Sequence, residues 1–248
     1  MNAVELLASL AILAAAAFAQ GMFGLGFAMI ATPLLALFLD YRVAILLSAV
    51  PMLVLAGNWL IANRRILRHS GVPWQLLPGI VVGAAAGLWL HVALPERLSL
   101  LLLATLLAVS VGLPWGMQRI QADMSVASRR AAPLFGALAG MTETALNVGA
   151  PFMVLFGGLG QLTRHQQLIS LYLCFFIGKV IQVSLLSNTT PAVSWLPLVL
   201  AVAVSVVFNR IGDRFAGHYP AATFRRLLGG FLTLMVIALV MRAALANE

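Results

Sequence analysis

The segment GMFGLGFAMIATPLLALF at residues 21–38 decides the fold, because GMTETALNVGAPFMVLF at residues 140–156 echoes it. Each segment interrupts an apolar helix with glycine or asparagine and continues as a short apolar helix. An arginine then opens a long helix in each copy, at Arg42 and at Arg164. Each copy also has a proline in the echoing segment, a later helix that starts at a tryptophan, and a last helix after a proline-containing turn. In copy one these residues are Pro33, Trp74 and Pro95, and in copy two they are Pro151, Trp195 and Pro220. This order predicts an internal repeat.

The composition indicates an integral membrane protein. Hydrophobic residues make up 62% and charged residues 9% of the 248 positions, and the mean hydropathy is +1.02, far outside the balance of soluble domains. Nearly charge-free runs at residues 43–62, 73–94 and 98–115 are each long enough to cross a hydrocarbon core of roughly 30 Å as a helix. The segments between such runs are short, so no extramembrane domain is predicted.

The net charge of +8 comes from arginines in the short connections, which is the positive-inside pattern and argues against a nucleic acid partner. The long helix of copy one is followed by Arg64, Arg65 and Arg68, whereas SNTTPAVS at the same point of copy two is uncharged. The next turn reverses this, since HVALPERL in copy one is weakly charged and residues 209–226 in copy two hold four arginines. The two copies are therefore predicted to have opposite orientations.

These patterns predict an all-α membrane protein with two inverted-topology repeats, each a hairpin with a broken helix followed by three transmembrane helices. The repeats are residues 1–115 and 133–248, joined by a cytoplasmic linker at residues 116–132. The returning arms, roughly residues 28–39 and 151–159, are short, so the hairpin tips are expected near the midplane.

The multi-pass chain is expected in the cytoplasmic (inner) membrane with both termini outside. The N-terminal apolar stretch at residues 4–20 resembles a secretory leader, but it carries Glu5 and no basic residue precedes Arg42, so a retained helix is predicted.

The two helix breaks are the candidate binding site, because non-helical backbone at membrane depth is tolerated only inside protein or beside a wet cavity. The start of each returning arm presents free N–H groups that favour an anion. The residues expected to line one shared cage are Gly21, Gly24, Gly26 and Thr32 from the first break and Thr142, Glu143, Thr144, Asn147 and Gly149 from the second. The alternative is that these glycines only allow close helix packing, the role predicted for Gly79, Gly83 and Gly87 at four-residue spacing.

Lys179 is the only lysine and lies near the centre of a long apolar helix, where a charge costs roughly 2.5–3.5 kcal/mol even on a permissive scale. Its predicted partner is Glu143. Two interpretations remain open: a structural ion pair, or a pair in which Lys179 holds an anionic substrate while Glu143 titrates or changes partner. Gln182 shares the face of Lys179, and Asn58 is expected at a similar depth in copy one; both are added to the predicted substrate-binding set.

No enzyme, cofactor or metal site is predicted. The chain has no GxSxG, HExxH or Walker motif, its four histidines are expected at helix ends, and its single cysteine, Cys174, excludes a multi-cysteine metal site.

The two echoing segments, each followed by a long helix that opens with arginine, resemble the sulfite exporter TauE/SafE family of membrane permeases over nearly the whole chain. The resemblance implies a secondary carrier for sulfite, sulfonates, related sulfur-containing anions or small carboxylates. The glycine and proline motifs of the family fall on Gly21, Gly24, Gly26, Pro33, Gly140, Gly149 and Pro151. The second motif departs from the family pattern, because Thr142, Glu143, Thr144 and Asn147 stand where a run of glycines is usual.

The leading functional hypothesis is secondary active transport of a small, sulfur-containing anion by alternating access. An anion channel, a carrier of small carboxylates, and a structural factor whose polar residues only join helices are the alternatives. The expected partners are the anion, the lipid bilayer, a coupling proton or sodium ion and, as an open possibility, a second copy in a homodimer. The sequence leaves open the anion, the direction of transport and the coupling ion.

Overall fold

The computed structural model describes residues 1–69, 74–117, 125–160, 162–189, 194–218 and 220–245. These residues form eleven α-helices and turns. In chain order the helices are α1 Ala3–Phe23, α2 Phe27–Leu35, α3 Tyr41–Ala62, α4 Arg64–His69, α5 Leu76–Ala93, α6 Glu96–Met117, α7 Ser125–Leu146, α8 Ala150–Leu159, α9 Arg164–Thr189, α10 Trp195–Arg214 and α11 Ala221–Leu245.

Six of these helices, α1, α3, α5, α9, α10 and α11, are long and apolar enough to cross a membrane. Large apolar side chains such as Val82, Trp89, Trp195 and Leu227 are mostly exposed on them. Such side chains are normal on a surface whose solvent is lipid. The all-helical, multi-pass architecture predicted from the composition is confirmed.

The order of the helices follows the predicted repeat. A long helix and a short returning helix, α1 and α2 or α7 and α8, precede three long helices in each half, with α4 as an additional short helix in the first half. At 1.5 Å per residue, α8 extends roughly 15 Å, about half of a hydrocarbon core. The opposite orientation of the halves and the depth of the hairpin tips stay predictions.

Packing groups the chain into two compact units that mix helices from both halves. The first unit contains Met1–Leu55, Pro95–Val111 and Leu185–Glu248, and the second contains Ala56–Leu94 and Gly112–Ser184. In each unit, therefore, the hairpin of one half packs on a helix of the other half: α1 on α10 in the first unit and α7 on α5 in the second.

Backbone contact between α5 and α7 dominates the second unit. A methyl group added at Gly79, Gly83 or Gly87 would collide with backbone oxygen atoms of α7, and one added at Gly136 or Gly140 would collide with those of α5. Small residues on both helices thus allow the close approach on which packing in membranes depends. The predicted packing role of the three α5 glycines is confirmed.

The first unit repeats this close approach between α1 and α10. Gly21 lies against the backbone of Asn209 and Asp213, and Gly212 lies against the carbonyl group of Phe18. Beyond this contact, the ring of Phe23 stacks on that of Phe224 in α11, with centroids 3.8 Å apart.

The ends of α1 and α7 suggest a second register for the predicted repeat. The helices α1 and α7 end at Phe23 and Leu146, and each is followed by a residue with a positive φ, Gly24 at 77° and Asn147 at 64°. Alignment at these ends pairs Gly21 with Thr144, whereas the sequence echo pairs it with Gly140, one helical turn away. The repeat itself stays a prediction.

Two helix boundaries also differ from those predicted. Helix α7 begins at Ser125, inside the segment predicted as linker, and Pro133 lies within the helix rather than at its start; linker residues 118–124 lie outside the described residues. Pro33 lies near the end of α2, whereas Pro151 lies in the first turn of α8. The two prolines are therefore not equivalent, because the arm of the first hairpin starts at Phe27 without one.

Candidate functional site

The break between α7 and α8 is a short, buried turn. Asn147 takes the left-handed conformation that ends many helices, and the N–H of Val148 donates to the carbonyl oxygen of Thr142 at 3.2 Å. Gly149 then precedes α8, whose first turn contains Pro151. Glu143, Thr144 and Asn147 are fully buried, so three polar side chains are concentrated where the helix is interrupted.

Lys179 in α9 is the centre of this cluster and is also fully buried. Its ammonium Nζ lies 2.6 Å from Glu143 Oε1. It also donates to the backbone oxygen of Glu143 at 3.1 Å, to Gln182 Oε1 at 2.9 Å and to Asn147 Oδ1. The predicted pairing of Lys179 with Glu143 is present, and it extends into a network of acceptors around one cation.

The carboxylate of Glu143 bridges two donors. While Oε1 pairs with Lys179, Oε2 accepts the backbone N–H of Gly149 at 2.7 Å. Gly178 and Gly149 leave room for this side chain, since a methyl group at either would lie about as close as 2.9 Å to its carbon atoms. The glutamate side chain thus accounts for Gly178, whereas Gly149 also lies against the backbone oxygen of Ala139, 2.6 Å from an added methyl group.

Both helix ends at the break have partners of the favourable charge. The last carbonyl groups of α7 face a cation and an amide, because Lys179 binds the oxygen of Glu143 and Gln182 Nε2 donates to the oxygen of Thr144 at 2.8 Å. A carboxylate lies at the start of α8. The partial charges of helix ends favour this arrangement.

Thr144 ties the cluster to α5. Its hydroxyl donates to the carbonyl oxygen of Ala84 at 2.8 Å and lies 3.0 Å from that of Gly140. Nearby, Nδ1 of the buried His91 lies 3.2 Å from the carbonyl oxygen of Ala145. The cluster is therefore held by α5, α7 and α9 within the second unit.

The break between α1 and α2 has the same form without charge. Gln20 is buried and spans the break: its Nε2 donates to the carbonyl oxygen of Gly24 at 3.1 Å, and its Oε1 accepts the N–H of Phe27 at 3.1 Å. Gly24 and Gly26 have φ values of 77° and 116°, which other residues rarely adopt. Farther along α2, the hydroxyl of Thr32 lies 3.2 Å from that of Ser48.

The structure brings half of the predicted site residues into one cluster and distributes the rest. Together lie Glu143, Thr144, Asn147, Gly149, Lys179 and Gln182. Thr142 joins the turn through its backbone, while its hydroxyl bonds back to Leu138 at 2.9 Å. Gly24 and Gly26 lie in the first break, and Thr32 lies in α2. The close contact of Gly21 with α10 accounts for a glycine at that position, and the side chain of Asn58 is exposed.

Sequence reasoning missed Gln20. It is a polar residue at the end of an apolar helix, immediately before GMFGLG, and that position was the available signal. The prediction assigned the glycines of this segment to the site and left Gln20 out. Groups of three or more histidine, cysteine or acidic residues that could hold a metal ion do not occur in the described part of the chain.

The comparisons with known proteins agree with this architecture. The family model described as "Sulfite exporter TauE/SafE" matches residues 9–239, which is nearly the whole chain. Neither a curated protein nor a solved structure matches the chain. Because that match covers nearly the whole chain, and because six helices are long and apolar enough to span a bilayer, the chain belongs to the sulfite exporter TauE/SafE family of membrane transporters.

Proposed function

We propose that this protein is a secondary active transporter that moves a small, sulfur-containing anion such as sulfite or a sulfonate across the cytoplasmic membrane by alternating access. The family supports the class of substrate. The observation that carries the proposal is the fully buried Lys179, which lies in the candidate membrane span α9 and pairs with Glu143 at the break between α7 and α8. A buried cation in such a helix is a functional-site hypothesis by default.

An oxyanion substrate needs the hydrogen-bond donors that the Glu143 carboxylate already occupies. Sulfite and sulfonates present several oxygen atoms that accept hydrogen bonds, and charged or backbone donors bind such groups best. Lys179 Nζ and the N–H of Gly149 are two such donors, and both now bind Glu143. Glu143 therefore acts as an internal anion that occupies the donors a substrate would use.

Substrate binding then requires that Glu143 withdraw or lose its charge. A proton on Glu143 would free Lys179, and a monovalent anion could replace the carboxylate at the cation without changing the net charge of the cluster. Two other groups that can carry a proton lie in the same region. Cys174 in α9 is within electrostatic range of both charges, and Nδ1 of His91 in α5 contacts the backbone oxygen of Ala145, two residues from Glu143. We infer coupled movement of one proton with each monovalent anion through this exchange.

The test is anion flux in proteoliposomes that contain the purified protein. We expect uptake of sulfite, sulfonates or thiosulfate that is driven by a proton gradient, with acetate as the comparison for small carboxylates. Lys179→Met should reduce the flux at least a hundredfold, because the anion then lacks its cation and Glu143 is left without one. For a sulfonate, which keeps a single charge over the working pH range, Glu143→Gln should make the residual flux independent of pH.

Glu96→Gln is the matched control. It breaks the ion pair of Glu96 with Arg242, whose atoms are 3.0 Å apart and whose side chains are 40% and 24% exposed. We expect wild-type flux, since this pair lies in the first unit, outside the cluster. Wild-type flux in Lys179→Met would refute the role of the cation, and single-channel currents far above carrier turnover would replace the carrier by an anion channel.

A further inference from the structure

The two helix breaks share features at equivalent positions. Gln20 and Glu143 stand at the same distance before the ends of α1 and α7, and each accepts an N–H from the region where the returning helix starts, that of Phe27 or that of Gly149. The first residue of each turn is equivalent as well, because Gly24 and Asn147 are both left-handed. In each break, therefore, one long polar side chain connects the end of the first arm to the start of the second.

Packing around the breaks follows the same register. Gly21 and its counterpart Thr144 both contact a backbone oxygen of the neighbouring helix, that of Asn209 in α10 or that of Ala84 in α5. One turn earlier, Gly212 meets the carbonyl group of Phe18, as Gly87 meets that of Met141. The equivalence of Gln20 and Glu143 thus rests on the helices around them and not on one hydrogen bond.

Charge is what distinguishes the two breaks. The first break has the neutral amide of Gln20 where the second has the carboxylate of Glu143 and the ammonium that pairs with it. Gln20 satisfies both ends of its amide across the break and cannot titrate.

We propose that Gln20 is a positioning residue for anion transport, the fixed counterpart of the switchable Glu143. By holding the N–H of Phe27, it fixes the first turn of α2, where the N–H groups of Ala28 and Met29 lack partners within the helix. The first break thereby keeps one geometry at every pH, while the second changes with the charge of Glu143. This inference rests on the proposed function, because a positioning role for Gln20 has a measurable effect on transport only if the protein carries an anion.

The first experiment compares Gln20→Met with Asn209→Ala. The methionine keeps the length of the side chain but loses both bonds, so the anion concentration for half-maximal transport should rise about tenfold. Asn209 also donates an amide hydrogen bond to α1, to the oxygen of Ala17 at 3.2 Å. Its loss should lower thermal stability in the same way while the half-saturating concentration stays at the wild-type value.

The second experiment uses Gln20→Glu, which remains informative if the methionine variant folds poorly. A protonated glutamic acid can imitate both bonds of the amide, but a carboxylate would face the oxygen of Gly24. The ratio of half-saturating concentrations, variant over wild type, should approach one at acid pH and increase as the pH rises. Of the described charged side chains on α1, α10 and α11, Arg210, Asp213, Arg214 and Arg226 are exposed, Glu5 is partly exposed, and Arg242 is partly exposed and paired with Glu96. None of them is a buried counter-ion for the new carboxyl.

The outcomes separate the two proposals. If Gln20→Met lowers stability as Asn209→Ala does and leaves the half-saturating concentration within twofold of wild type, Gln20 is only structural and the inference is overturned. A pH-independent ratio for Gln20→Glu would also overturn it. If the wild-type protein neither transports nor is thermally stabilised by any anion of the panel, the proposed function fails first, and this inference fails with it.

Discussion

A double-mutant cycle on the pair of Glu143 and Lys179 separates the structural from the transport interpretation. Among the described residues, Lys179 is the cation that pairs with Glu143, and Lys179→Met leaves a buried carboxylate with the N–H of Gly149 as its donor. Breaking a buried ion pair from one side costs about 3–5 kcal/mol. We therefore expect this variant to lose that much of its free energy of unfolding.

Glu143→Gln should be milder, because the ammonium keeps acceptors in Asn147, Gln182 and the backbone oxygen at position 143. About half of that loss is expected. In the double variant no charge is left, and the neutral glutamine can still accept the N–H of Gly149. Since replacing a whole buried pair by neutral residues is often neutral or stabilising, the double variant should lie within about 1 kcal/mol of wild type.

The assay is reversible unfolding in mixed micelles, with anion flux measured on the same preparations. A double variant that is as stable as wild type but transports no anion assigns the charges to transport. Wild-type flux in that variant would refute the reasoning and make the pair purely structural. A double variant as unstable as Lys179→Met alone would refute the electrostatic account of stability.

Two further predictions concern the backbone around the site. Asn147→Gly should be more stable than Asn147→Ala by about 1–2 kcal/mol in free energy of unfolding, because alanine is strained at the φ of 64°. Both variants lose the contact with Lys179, so the difference reports the backbone alone. Equal melting temperatures would show that the left-handed turn is not maintained. Gly83→Ala should lower the folded fraction on size-exclusion chromatography, because its methyl group collides with Ala137. Gly112→Ala is the control and should leave the folded fraction unchanged, because nothing lies within 4 Å of its methyl group. Equal profiles would contradict the close packing of α5 on α7.

The sequence was sufficient for the helical architecture because membrane-spanning helices have a simple physical signature. Long apolar runs predicted spans within α3, α5 and α6, and the four-residue spacing of Gly79, Gly83 and Gly87 predicted a helix contact. The pairing of Lys179 with Glu143 followed from energetics, since two charges in an apolar region must find each other. None of these steps required knowledge of which helices are neighbours.

The sequence failed where the outcome depends on three-dimensional neighbours. It did not show that α1 packs on α10 and α7 on α5, so it gave no sign that one α-hydrogen atom of Gly21 faces α10. Asn58 was placed with the site by depth alone, yet its side chain is exposed. Gln20 was missed because the hydrogen bonds of a polar side chain at a helix end depend on which backbone groups lie across the turn.

The first break also bears on why the second has charges. Gln20 takes the place of Glu143 before the end of its helix, and α1, the turn and α2 are nevertheless joined by the same kind of hydrogen bond. A break of this form can therefore be closed with neutral side chains. An ion pair in the same role adds two desolvated charges, and apolar or neutral residues are often at least as stable in such places. Because closing the break does not require them, the charges of Glu143 and Lys179 call for a different explanation, and exchange of the carboxylate for a transported anion provides one.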